Sequence, residues 1–76
     1  MKTELNESWL HGFYTVQNCK VEINTKLPYL SIEGACLQYF TQDENAWKDI
    51  QEIHSIWVKN DCTIEDAINQ FINTYF

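Results

Sequence analysis

The chain has 76 residues, enough for one domain with a small core, because a chain of this length buries only about 60% of the surface that it exposes when unfolded. It carries eleven acidic residues, five lysines and no arginine, which gives a formal net charge of −6. Arginine is the main side chain that proteins use to contact phosphates, so this balance argues against direct binding to nucleic acid or to an anionic membrane.

The sequence shows no leader, membrane or disulfide signal. Polar residues interrupt residues 1–13, which disfavours a secretory signal, and no apolar run is long enough to span a bilayer. The three cysteines are odd in number and widely spaced, which disfavours a disulfide framework. We therefore expect a single compact domain over residues 1–76 and a cytoplasmic location.

The N-terminal half has the pattern of a sheet. Residues 4–11 can form one or two helical turns that end at Gly12, or they can open the first strand. From residue 13 to residue 40 apolar and polar side chains alternate, which predicts three or four antiparallel strands. The predicted connections between them are Gln17-Asn18, residues 24–28 and Glu33-Gly34.

After residue 40 the pattern becomes helical. Thr41 followed by Glu44 has the spacing of a capping box, so the first helix is expected to begin at Gln42. Asn60 or Asp61 can end it, because both residue types tolerate a left-handed backbone. Its apolar arc comprises Ala46, Trp47, Ile50, Ile53, His54, Trp57 and Val58.

A second helix is predicted to follow directly. Thr63 and Asp66 repeat the spacing of a helix start. The apolar arc of this helix comprises Ile64, Ala67, Ile68, Phe71, Ile72 and Tyr75, and its opposite face is neutral and rich in amides. The predicted fold is therefore α+β, a small antiparallel sheet of three or four strands packed on one face by two C-terminal helices.

The residues with chemical potential favour packing over catalysis. His54 lies near the middle of the first helix's apolar arc, and Asp43 is about 16 Å away along a helix that rises 1.5 Å per residue, too far to orient its ring as a general base. Cys19, Cys36 and Cys62 are interpreted as small buried residues, because the chain offers few cations to stabilise a thiolate. The sequence thus predicts a non-enzymatic protein with no catalytic set, metal site or cofactor.

Negative charge is concentrated in the C-terminal half, where residues 41–76 hold seven acids and two lysines. Any single acid can be explained as part of a solvated surface that keeps the protein soluble. As a set, however, the acids can attract and orient a basic partner. Ile56 projects from the same side and is expected to be the exposed apolar centre of such a contact. The predicted partner-binding residues are Glu44, Asp49, Glu52, Ile56, Asp61, Glu65 and Asp66.

The leading functional hypothesis is a small acidic protein-binding module, an inhibitor or adaptor that docks a negatively charged helical face on a basic protein. A nucleic-acid-binding protein is the first candidate partner, and phage-type inhibitors, antitoxins and immunity proteins are compatible by analogy.

Two alternatives stand beside this hypothesis. Some tyrosines and phenylalanines are expected to stay partly exposed, with Tyr14, Tyr29, Tyr39 and Phe76 as candidates, because so small a core cannot enclose eleven aromatic rings. An exposed aromatic sheet face would then suit a structural or oligomerising module, such as a homodimer. The third class is a small enzyme or metal binder that uses His54 with a cysteine, for which no local spacing provides support.

Overall fold

The protein is a four-stranded antiparallel sheet followed by two helices. The computed structural model describes residues 10–76. The strands are β1 (Gly12–Val16), β2 (Cys19–Asn24), β3 (Tyr29–Gly34) and β4 (Leu37–Gln42), and the helices are α1 (Glu44–Asn60) and α2 (Ile64–Tyr75). Each strand pairs with the next along the chain, in the order β1-β2-β3-β4. This confirms the predicted α+β fold, whereas the expected N-terminal helical turns lie mostly outside the described residues.

The core lies between one face of the sheet and the two helices. The alternation predicted for the strands places Val21, Ile23, Leu30 and Ile32 on this inner face, and all four are almost completely buried. Helix α1 covers β3 and β4, and α2 covers β1 and packs against α1. The helices contribute the buried side chains of Ala46, Ile50, Ile53, His54, Ala67, Ile68, Phe71 and Ile72. Burial of each large aliphatic side chain stabilises the fold by about 1.5–3 kcal/mol.

The first hairpin turns at Gln17-Asn18, as predicted. Both residues have positive φ, 53° and 62°, and they join the paired residues Val16 and Cys19. Two left-handed residues in succession make the type I′ turn, whose twist matches that of the strands it connects. The Gln17 side chain also reaches α2, where its amide nitrogen donates to the side-chain oxygens of Asn69 and Asn73.

The second connection also follows the prediction. The side-chain oxygen of Asn24 accepts hydrogen bonds from the backbone N–H groups of Lys26 and Leu27, both at 3.0 Å, which forms a compact turn. Pro28 stands immediately before β3, where its missing N–H costs no ladder bond. Its carbonyl accepts from the Asp43 N–H at 3.0 Å, which ties this loop to the start of α1.

The third predicted connection, Glu33-Gly34, is wrong, because both residues belong to β3 and the turn is made by the next two residues, Ala35 and Cys36. Gly34 pairs with Cys19 on one side and with Leu37 on the other. A Cβ at position 34 would lie 2.5 Å from the Cys19 Cα and 2.6 Å from the Asn18 carbonyl oxygen. The glycine is needed for a close approach of two strands.

The predicted start of α1 is also wrong. Thr41 and Gln42 pair with β3 as the end of β4, so neither is free to cap a helix. Asp43 is the cap instead, and its Oδ1 accepts from the Asn45 N–H at 2.8 Å. Its φ of 120° and ψ of −152° fall in a region that is strained for any residue with a Cβ. The helix ends as expected, at Asp61 in the left-handed conformation.

Helix α2 begins as predicted, with Thr63 as its cap. The Thr63 hydroxyl accepts from the Asp66 N–H at 3.1 Å. At the other end, the Phe76 N–H donates to the Ile72 carbonyl at 2.8 Å. The amide-rich face of α2 binds neighbouring elements through Gln17 and through the Asn60 amide, which donates to the Gln70 side chain at 2.9 Å.

We expect Gly34→Ala to lower the free energy of unfolding by about 2–3 kcal/mol, because the new methyl group would overlap backbone atoms that cannot move cheaply. Chemical denaturation of the variant and the parent protein measures this loss. Cys36→Ala is the matched control in the same hairpin, since Cys36 is exposed, and it should stay within about 0.5 kcal/mol. Equal stabilities for the two variants would refute the close-approach argument.

The strain at Asp43 predicts an unusual order of stability at this position. Asp43→Gly loses the cap but relieves a backbone conformation that costs about 1–3 kcal/mol, so it should be at least as stable as the parent protein. Asp43→Ala keeps the strain and loses the cap, at a cost of about 1 kcal/mol. Thermal and urea unfolding of both variants tests the order, and an alanine variant more stable than the glycine variant would contradict it.

Candidate functional site

The acidic residues predicted to bind a partner fall into different surroundings. Glu44, Asp61, Glu65 and Asp66 are exposed, whereas Asp49 and Glu52 are half-buried. A partly buried carboxylate needs hydrogen bonds that compensate for its lost hydration. Asp49 and Glu52 are therefore the acids whose hydrogen-bond partners identify a built site.

Asp49 and Glu52 each accept a hydrogen bond from a tyrosine that sequence reasoning did not assign to the site. The Tyr39 hydroxyl donates to Asp49 Oδ2, and the Tyr75 hydroxyl donates to Glu52 Oε2. The two acids are three residues apart and therefore lie on one side of α1. Tyr39 comes from β4 and Tyr75 from the last turn of α2, so three elements meet at these carboxylates.

Aromatic rings surround this pair of acids. The ring centroids of Tyr39 and Phe76 are 5.0 Å apart, and those of Phe71 and Tyr75 are also 5.0 Å apart. Phe71 is buried and anchors the group, since its ring also lies 6.1 Å from that of Phe76. Tyr75 and Phe76 are each 54% exposed. We call this group the tyrosine–carboxylate surface, which comprises Tyr39, Asp49, Glu52, Tyr75 and Phe76.

The electrostatics keep the phenols of this surface protonated. Burial raises the pKa of Tyr39 to about 12, assisted by the hydrogen bond to Asp49 and by the charge of that carboxylate. The hydrogen bond to Glu52 raises the pKa of Tyr75, with smaller contributions from burial and from the charges of Glu52 and Asp49. Both tyrosines therefore act as hydrogen-bond donors near neutral pH, and the charge of the surface is that of the carboxylates.

The other predicted acids have different neighbours. Glu44 lines a shallow cavity at the start of α1 together with Trp47 and Pro28. Glu65 lies beside β1, where burial and then the Glu65 charge raise the pKa of Tyr14. Asp61 is the left-handed cap of α1, and the Asp66 N–H is bound by the Thr63 hydroxyl. The predicted acidic set is thus divided among several parts of the molecule.

The prediction of an exposed Ile56 is wrong. This side chain is half-buried and packs against the core. Helix α1 contacts the sheet and α2 at once, so its apolar arc has to cover two neighbours and is wider than the sheet alone would require. Ile56 is therefore a half-buried residue at the edge of the core, and the exposed rings beside the acids are those of Tyr75 and Phe76.

His54 is buried, as expected, with 7% of its surface exposed and its ring edge-on to Trp57 at 5.7 Å. Cys19 is buried and Cys62 half-buried, but the predicted burial of Cys36 is wrong, because it lies in the exposed turn after β3. The three thiols form no disulfide with one another. Within residues 10–76, no three His, Cys, Asp or Glu side chains are arranged to hold a metal ion.

Comparison with protein-family models, with curated proteins and with solved structures found no match for this chain. In the described part of the chain, no helix combines the length and the apolar content needed to cross a membrane. The candidate site therefore rests on the geometry of the tyrosine–carboxylate surface.

We expect a spectrophotometric titration of tyrosinate to show one ionisation near pH 12 that is absent from Tyr39→Phe. Asp49→Asn should lower this pKa, because the substitution removes the carboxylate charge, but should leave it above 10.0, because burial is unchanged. The folded state holds this proton more tightly than the unfolded state does. The corresponding stability is complete below pH 10 and is lost as the pH rises toward 12.

Circular dichroism at each pH separates this ionisation from unfolding. The assignment fails if the transition missing from Tyr39→Phe lies near pH 10, or if Asp49→Asn leaves the Tyr39 pKa unchanged.

Proposed function

We propose that this protein is a small non-enzymatic binding module, an inhibitor or adaptor, that docks on a basic protein through the tyrosine–carboxylate surface. The observation that carries the proposal is the placement of two half-exposed rings, Tyr75 and Phe76, beside the carboxylates of Asp49 and Glu52. Aromatic anchors surrounded by polar groups are typical of the centres of protein interfaces.

The chemistry of this surface suits lysine and arginine side chains. A neutral phenol holds each carboxylate in place without cancelling its charge, so the orientation of the carboxylate is fixed before a partner arrives. A cation that reaches Asp49 or Glu52 can also approach the half-exposed rings of Tyr75 and Phe76, where cation–π attraction adds about 0.5–1 kcal/mol. An acidic partner would meet repulsion at the same place.

The remaining acids have a supporting role in this proposal. Glu44, Asp61, Glu65 and Asp66 are exposed and contribute to the net charge of −6, which accelerates the approach of a basic partner without requiring direct contacts. Basic surfaces are common on proteins that handle nucleic acids, which makes this class the first candidate. Small inhibitors, antitoxins and immunity proteins bind in this general way, and the link to them is analogy.

The test begins with the tagged protein expressed in its native cells, from which bound proteins are cross-linked, recovered and identified. We expect a protein with a basic surface, whose Kd for this chain rises steeply with salt. The variant Asp49→Asn with Glu52→Gln keeps hydrogen-bond acceptors for both tyrosines but removes two charges. It should weaken binding about tenfold, equivalent to ~1.4 kcal/mol, and should reduce the salt dependence.

The matched control is Glu22→Gln with Glu33→Gln, which removes the same charge from strands β2 and β3 on the face opposite the helices. It should change the Kd by less than about twofold, as expected for acids outside the contact. Equal weakening by both double variants would show that only net charge matters. The proposal would be refuted by a captured protein with an acidic binding surface, or by a Kd that is the same for the parent protein and both double variants.

A further inference from the structure

The sheet has a second face, directed away from the helices, with an ordered pattern of side chains. Strand pairing places its outward residues in rows across the four strands. One row reads Phe13, Glu22, Ser31, Phe40 from β1 to β4, and the next reads Thr15, Lys20, Glu33, Gln38.

The two phenylalanines in the first row are unusually open to solvent. Phe13 is 80% exposed and Phe40 is 58% exposed, and they occupy the two edge strands of the sheet. The Tyr29 ring meets Phe40 edge-on at 5.1 Å and enlarges the apolar area at one side. Exposed aromatic residues thus lie at both edges of this face, with polar residues between them.

The outer face is complementary to itself. A half-turn about an axis parallel to the strands, between β2 and β3, places β1 over β4 of a second copy and β2 over β3. Phe13 then meets Phe40 of the second copy, and Lys20 meets Glu33 of the second copy, each contact occurring twice.

We infer that the outer face is a homodimer interface in which two sheets pack face to face, with Phe13 against Phe40 and Lys20 against Glu33. Aligned sheets pack in this way about 10 Å apart, rotated by about 30° because of their twist. Stacking each strand on its own copy is less favourable. An axis along one of the two rows would place Lys20 against Lys20 or Glu22 against Glu22, and an axis between the rows would place Phe13 against Thr15 instead of an aromatic ring.

The composition of the edge strands agrees with this arrangement. Strands β1 and β4 contain no charged residue, whereas the charges of the sheet lie on the central strands β2 and β3. In the face-to-face stack, the uncharged strands β1 and β4 lie over each other, and the charged strands β2 and β3 lie over each other. A face of four short strands is smaller than a standard interface, so we expect a dimer with a Kd on the order of 10 µM.

Sedimentation equilibrium over a concentration series tests the inference with the purified full chain. The parent protein should dimerise, and Phe13→Ser with Phe40→Ser should raise the dimer Kd at least about tenfold, because two aromatic contacts are lost. Asp49→Asn with Glu52→Gln is the control on the helix side and should leave the Kd unchanged. A parent protein that stays monomeric at about 1 mM would overturn the inference.

Charge exchange tests the pairing itself. Lys20→Glu and Glu33→Lys should each abolish the homodimer, because each brings like charges together twice. An equimolar mixture of the two variants should form a heterodimer, since both contacts then join opposite charges. The combined variant Lys20→Glu with Glu33→Lys also restores the cross-strand pair within each chain and should dimerise like the parent.

A single substitution places like charges opposite each other within the chain and can weaken the fold. The combined variant avoids this, so it tests the pairing independently of stability. Circular dichroism verifies that every variant is folded. A mixture that stays monomeric while the combined variant is folded and monomeric would overturn the inference. So would a dimer that persists unchanged in Phe13→Ser with Phe40→Ser, or one that dissolves in Asp49→Asn with Glu52→Gln.

Discussion

Four side chains of the central strands, Val21, Ile23, Leu30 and Ile32, form the apolar floor on which the rest of the structure depends. Both helices bury their arcs against the sheet and against each other. A 76-residue chain cannot supply a second core of this kind. The helices therefore cover one face of the sheet, and the opposite face is available for other contacts.

The elements with a clear period were predictable from the sequence. The alternation through β2 and β3, the apolar arcs of both helices, the Gln17-Asn18 turn and the Thr63 cap all reflect local preferences that the fold preserves. The errors arose where pairing between distant residues decided the outcome. Thr41 resembles a helix cap, but its pairing with Leu30 extends β4, and Gly34 resembles a turn residue, but the approach of Cys19 places it within β3.

The candidate site was predictable only in part, for the same reason. Acidic residues on α1 were visible in the sequence, but their tyrosine partners lie 10 and 23 residues away and come from other elements. No local pattern reports such contacts. The result is a molecule with two distinct surfaces, an acidic one rich in hydrogen bonds on the helix side and an aromatic one on the sheet side, so that a dimer would present two acidic surfaces facing outward.

The bridge from Gln17 to Asn69 and Asn73 joins the first hairpin to the last helix across more than fifty residues. Helix α2 also covers β1, so that edge of the core stays open until the C-terminal segment arrives. The contacts of the hairpin are local and can form early in folding, whereas its cover by α2 depends on contacts between distant residues. The edge of the core at β1 is therefore closed only when α2 packs against it.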